Sequence, residues 1–151
     1  MTISIEQADT GDIDALTGLL TTLFSIEQDF VPNKSAQRSG LQLLMARPDH
    51  GQIFVARHPD QGIVGMISAQ FVISTAVGAP SAWIEDMVVR EQFRGQGVGK
   101  ALLNKAREWA RSRGAKRIQL LADADNAPAI DFYQHLGWQQ TRLFAWKKII
   151  D

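Results

Sequence analysis

The apolar positions of the chain change period in a regular way, and the changes mark out its elements. Thr2–Ala8 alternates as a strand does, after which Ile13, Leu16, Leu19, Leu20, Leu23 and Phe24 recur at helical spacing to about Gln28, with Asp12 placed to cap that helix. A second helix is predicted over Ser35–Ala46, striped by Leu41, Leu44 and Met45 and followed by Pro48. Gln52–Arg57 and Ile63–Ile73 are β-rich runs joined by the turn residues His58–Gly62, which predicts a hairpin. Pro80–Val89 reads as a further strand and runs towards a glycine-rich turn, Arg94-Gly-Gln-Gly-Val-Gly99. The turn opens a helix with Val98, Ala101, Leu102, Ala106, Trp109 and Ala110 on its inner face and Gly114 past its end. Ile118–Ala122 is short and apolar, as an interior strand would be. Asp125 or Asn126 can cap a last helix with Pro128 in its first turn, Ala129, Phe132, Tyr133 and Leu136 on one face, and Gly137 at its end. Trp138–Gln140 and Leu143–Ile149 are expected to close the chain as two strands. The order is β-α-α-β-β-β-α-β-α-β-β, an α/β fold with a mixed sheet and helices on its faces.

Composition narrows this picture mainly by exclusion. At 151 residues the chain is sized for one domain, residues 1–151. It has no cysteine, hence no disulfide framework, thiolate nucleophile or Cys-based metal site, and its three histidines are scattered, so no metal is expected. No apolar run approaches the roughly 20 residues of a membrane span, and the first residues lack the pattern of a secretory leader, so a cytoplasmic protein without a membrane partner is expected.

Net charge is zero, from 16 basic and 16 acidic residues, but the sum hides a segregation. Residues 1–89 carry a net −6, whereas residues 90–117 carry nine basic groups against Glu91 and Glu108, a net +7. The basic island coincides with the glycine turn. A strand leading into a Gly-rich turn and a helix N-terminus makes an anion site: unpaired N–H groups converge, the helix dipole adds about half a positive charge, and glycine allows close approach. The turn is not a Walker loop, because Arg94 and Ala101 stand where a glycine and a Ser or Thr are needed. Nor is it the dinucleotide fingerprint, since Lys100 occupies the third glycine's place. No interleaved aromatics accompany the charges, so nucleic acid is not an expected partner.

The pattern that fits is Arg-x-x-Gly-x-Gly over Arg94, Gly97 and Gly99. With Ile84–Leu103 around it, and with Asn126-Ala-Pro-Ala-Ile-Asp-Phe-Tyr-Gln-His-Leu-Gly-Trp138 downstream, the sequence resembles the GNAT superfamily of acyl-CoA-dependent N-acyltransferases, in detail over residues 84–138 and elsewhere through element order. The resemblance implies a mostly antiparallel central sheet flanked by helices and acetyl-CoA as co-substrate. It implies that the backbone of Gly95, Gln96, Gly97, Val98, Gly99 and Lys100 cradles the CoA pyrophosphate, with Arg94 and Lys100 near phosphate. Met87, Val88 and Val89 would pair with the pantetheine arm as an added strand, and Asn126 would hydrogen-bond that arm. Homodimers are common in the family, and the apolar C-terminal strands could form such an interface.

Acetylating an amine needs a free lone pair, yet an amine of pKa about 10.4 is charged at neutral pH, and freeing it costs roughly 4.6 kcal/mol. Glu85 is the expected base, chosen over Asp86 because alternation along a strand lets one of two neighbours point into a cleft. A backbone N–H near Met87 or Val88 would polarise the thioester carbonyl. Tyr133, the chain's one tyrosine, matches the family's general acid for the leaving thiolate. Phe24, Glu27, Asp29, Phe30 and the loop 74–80 are expected on the acceptor side, whose net negative charge favours a cationic acceptor. His50, His58 and His135 read as surface residues, and the four tryptophans as core. The acceptor is a primary amine, of a small molecule or a peptide. The Ile84–Val89 wording is also similar to glucosamine-6-phosphate N-acetyltransferases, which makes an amino sugar one candidate. A non-catalytic acyl-CoA-binding or sensing module is the alternative reading.

Overall fold

A computed structural model describes residues 2–27 and 29–151. It resolves into two compact units, one running to Leu121 and one from Ala122. In the first unit the order is β1 (Ser4–Gln7), α1 (Ile13–Ile26), α2 (Lys34–Met45), β2 (Gly51–His58), β3 (Gly62–Ser74), β4 (Ala79–Val89), α3 (Val98–Ser112) and β5 (Arg117–Leu120). The strands form one sheet in sequence order, with β1 to β4 antiparallel and β5 parallel to β4.

The two faces of the sheet are covered by different helices. On one, Leu16, Leu19, Leu20 and Leu41 of α1 and α2 bury Ile53, Val55, Met66 and Val88. On the other, α3 crosses β2, β3 and β4 and buries Leu102, Leu103, Ala106 and Ala110, while Trp109 stacks on Phe71 at 4.5 Å. Leu102 has no exposed surface. Leu102→Ala is therefore expected to lower unfolding free energy by about 2–5 kcal/mol in denaturant titration.

Several local expectations shift for identifiable reasons. Asp12 stands at the N-cap of α1 but its side chain makes no cap hydrogen bond there. Asp9 caps a preceding turn of 3₁₀ helix, and the Asp12 carboxylate instead accepts the Asp9 N–H and the Arg57 guanidinium. Arg57 is held above its ordinary range by hydrogen bonds to Glu6 and then Asp12. His58 is buried, not on the surface, with Nδ1 accepting the N–H groups of Asp60 and Gln61, so it closes the hairpin turn. The expected end of α1 near Gln28 falls outside the described residues; α1 stops at Ile26.

Strand β4 departs from simple alternation. Ser68 is opposite Asp86 and Ala69 is opposite Ile84, so Glu85 is an extra residue in a β-bulge. Beyond it, β5 stops at Leu120, across from Ile84.

In the second unit, α4 (Ala127–His135) is capped by the Asn126 side chain, which accepts the Ala129 N–H at 3.3 Å, with Pro in its first turn. The two closing strands are not formed: residues 138–151 adopt no regular structure, and Leu143, Phe144, Trp146, Ile149 and Ile150 are exposed. Alternation makes a segment competent to extend but does not supply the partner whose N–H and C=O groups complete a ladder. For the same reason β5, expected in the interior, is the last described strand of the sheet.

Candidate active site

Among the described residues, no strand lies beside the β5 side of β4 past Ile84. The Arg90 N–H bonds the Val64 carbonyl on β3. An antiparallel ladder alternates, so Val88 and Arg90 direct their polar backbone groups to β3, while Met87 and Val89 direct theirs to the open edge. Of the three residues expected to receive an added strand, two face the opening. The Val89 carbonyl there is taken by Arg94 Nε at 2.8 Å, which folds the glycine turn back onto the end of β4.

The turn has the backbone an anion cradle requires. Gly95 and Gly97 have φ of 73° and 85°, in the region that favours glycine, and a Cβ added at either would meet no protein atom within 4 Å. Gly97 caps α3, whose first helical bond runs from the Ala101 N–H to the Gly97 carbonyl. The N–H groups of Val98, Gly99 and Lys100 therefore start the helix with no acceptor inside it. Gln96 donates its side-chain amide to Gln92, away from these N–H groups. Lys100, Lys105, Arg107 and Arg111 lie on the exposed face of α3. Arg117 and Arg90, by contrast, hydrogen-bond the Ser81 hydroxyl and the Gln61 carbonyl. The basic island thus divides between an exposed stripe on α3 and arginines that tie strands and turns together.

On the α1–α2 face of the sheet lies a cavity of about 620 Å³, within the range of small-molecule sites. Leu20, Phe24, Phe30, Leu41 and Leu44 form its apolar wall; Ser68, Gln70, Glu85 and Asp86 contribute from the sheet. Both carboxylates line it, where alternation allowed one. The bulge is the reason: the extra residue breaks the period-2 rule between Ile84 and Asp86.

The two carboxyls are in different surroundings. Glu85 is exposed. Asp86 is largely withdrawn from water, which pushes its carboxyl up from 3.8 to about 6; the Ser68 hydroxyl, donating at 2.8 Å, opposes this, and the Glu85 charge adds to it. Arg47 and His50 also line the cavity, so His50 is not simply a surface residue. Phe24 and Phe30 are where the sequence placed them, but Glu27, Asp29 and the loop 74–80 are not part of the lining. Neither Arg47 nor His50 carried a sequence signal, because the connection between α2 and β2 decides where they point.

In the second unit, Tyr133 on α4 packs edge-on to Phe132 at 5.3 Å and against Trp138 at 5.7 Å, while its carbonyl accepts the Trp138 N–H. His135 is exposed, as expected. Among the described residues no cluster of His, Asp and Glu could hold a metal ion, and no helix is long and apolar enough to cross a membrane.

The profile of the acetyltransferase (GNAT) family covers residues 19–138. The chain belongs to that family. This GNAT chain is 29% identical to a streptothricin acetyltransferase of Streptomyces lavendulae, over 91% of this chain and 82% of that one. It is 28% identical to an aminoalkylphosphonate N-acetyltransferase of Salmonella typhimurium, over 92% and 86%. An uncharacterized N-acetyltransferase of Methanocaldococcus jannaschii shares 37% identity over 70 residues, and the match spans 31% of that protein's length. The fold is shared with an aminoglycoside N-acetyltransferase solved in complex with CoA, at a TM-score of 0.82 and 21% identity, covering 97% of this chain and 95% of that one. The enzyme class of the family is acetyl-CoA-dependent N-acetyl transfer, and the mostly antiparallel, helix-flanked sheet agrees with it.

Proposed function

We propose that this GNAT protein transfers the acetyl group of acetyl-CoA directly to the primary amine of a small molecule held in the cavity over β3 and β4. The observation that carries the reading is the run of β4 itself, which leads from two cavity-lining carboxylates, through an open edge at Met87 and Val89, towards the glycine turn. The relatives named for streptothricin and aminoalkylphosphonate acetylation support an amine acceptor.

The residues fit the co-substrate. The N–H groups from Gly95 to Lys100 bind the pyrophosphate, Lys100 adds charge, and Met87 and Val89 pair with the pantetheine arm, which Asn126 also contacts through its amide. When bound, the thioester supplies an activated acyl group. The Met87 N–H, the open-edge donor nearest the carboxylates, polarises the carbonyl. Glu85 and Asp86 receive the ammonium. Asp86, with a proton affinity raised to about 6, closes part of the gap to the amine and takes one proton from the ammonium, which frees the lone pair that forms the C–N bond; the second N–H proton leaves the adduct as the C–S bond breaks and replaces the one that Tyr133 gives up. Tyr133 donates its hydroxyl proton to the sulfur as the C–S bond breaks, a role given to it by its place in the second motif. With no cysteine in the chain, no Cys-linked acyl-enzyme is available, which favours transfer within a ternary complex.

The test is thiol release from acetyl-CoA across a panel of amine classes. Turnover with at least one class, lost on Glu85→Gln or Tyr133→Phe by about 10²-fold or more, is expected. CoA binding without turnover on any amine, indifferent to those substitutions, would identify a non-catalytic acyl-CoA sensor instead.

A further inference from the structure

The acidic character of residues 1–89 suggested a cationic acceptor, but the cavity does not inherit it. Of ten acidic groups in that segment, Glu85 and Asp86 line the cavity. Glu6 and Asp12 are paired with Arg57, and Asp14 with Arg38, away from it. Most of the lining is apolar, and its remaining charged side chain is the Arg47 guanidinium. Unlike Arg38, Arg57, Arg90, Arg94 and Arg117, Arg47 makes no side-chain hydrogen bond or ion pair among the described residues.

Sheet register sets the scale of the separation between the two ends of the cavity. The His50 carbonyl accepts the Phe71 N–H, and Asp86 is opposite Ser68. The His50 and Asp86 backbones are therefore two strand spacings apart and three residues along, or roughly 14 Å. Arg47 sits on the His50 side, its carbonyl accepting the His50 N–H at 2.9 Å. Arg47, which is exposed, and Asp86 both line the intervening cavity, and Phe24, Leu41 and Leu44 wall it.

We infer that the acceptor is an amine that also carries an anionic group, with its ammonium at Glu85 and Asp86, an apolar body along α1 and α2, and a carboxylate, phosphonate or phosphate at Arg47. This rests on the acetyl-transfer reading and narrows it. A polycation fits poorly, since its second charge would face Arg47 across an apolar wall.

Three amines of one length test this: 6-aminohexanoate, 1-aminohexane and 1,6-diaminohexane, compared by kcat/KM for thiol release. The wild type should prefer 6-aminohexanoate over the other two by about tenfold, the low end for a hydrogen bond between charged groups. Arg47→Ala should collapse that ratio, Arg47→Lys should restore much of it, and Arg47→Glu should shift preference to the diamine. Replacing the carboxylate by a phosphonate, in 5-aminopentylphosphonate, tells which anion Arg47 favours, and a gain with either supports the inference. Equal or better use of the diamine by the wild type would overturn it, as would a fall of all three rates together in Arg47→Ala. If no amine releases thiol, the acetyl-transfer reading fails. The inference is then read by calorimetry: 6-aminohexanoate should bind about tenfold more weakly to Arg47→Ala than to wild type, and equal binding would sink it.

Discussion

Asp86→Asn should lower kcat/KM for amine acetylation by about 10²–10⁴-fold and yet make the protein more stable at pH 8. The wild-type carboxyl sits at about 6 mainly because folding removes it from water. It therefore binds its proton more tightly folded than unfolded. Its contribution to stability is complete below 3.8 and is lost as pH rises through about 6, above which the ionised group opposes folding. The displacement from 3.8 to about 6 is worth about 3 kcal/mol. Urea unfolding of wild type and variant should accordingly diverge across that window, with the variant gaining up to about 3 kcal/mol by pH 8. The wild-type rate should carry an acid limb near pH 6 that the variant lacks. A variant that loses stability as well as rate would mean that Asp86 is structural, held in place for the Ser68 hydrogen bond.

Gly97→Ala should separate the cradle from the fold. At φ 85° a side chain costs about 1–2 kcal/mol, though the added Cβ meets no protein atom. The methyl group would stand in open space at the start of α3, where the pyrophosphate is proposed to approach. CoA affinity by calorimetry is expected to fall by tenfold or more, about the worth of one charge-assisted hydrogen bond. Gly18→Ala is the control. Gly18 lies on the exposed side of α1 with open space around it, so that substitution should raise stability by about 0.4–1 kcal/mol and leave CoA affinity alone. Unchanged affinity in Gly97→Ala would remove the turn from the binding site.

The sequence was most informative where glycine and periodicity act together. Gly95, Gly97 and the inner face of α3 could be read directly, because a left-handed cap and a 3.6-residue stripe each leave a local mark. The pairing of β2 with β3 followed from the turn at His58–Gly62. The bulge at Glu85 leaves no such mark, since nothing in the composition of Trp83–Val89 says which residue is unpaired. That is why Glu85 and Asp86 looked like alternatives when the cavity uses both. Arg47 and His50 belong to the cavity through tertiary placement alone. The alternation of Leu143–Ile149 predicted strands that the structure does not form, because periodicity describes one segment and a ladder needs two.

Counted by its pairing, β4 is a ten-position strand that contains eleven residues. Every residue from Ala79 to Val89 has a partner on β3 except Glu85. Ile84 and Asp86 already stand on opposite faces, as adjacent residues of an uninterrupted strand would, so the sheet would keep its phase if Glu85 were deleted. The core therefore places no demand on that position, and its side chain lines the cavity. A substitution at Glu85 would therefore be felt by what the cleft binds rather than by the phase of the scaffold.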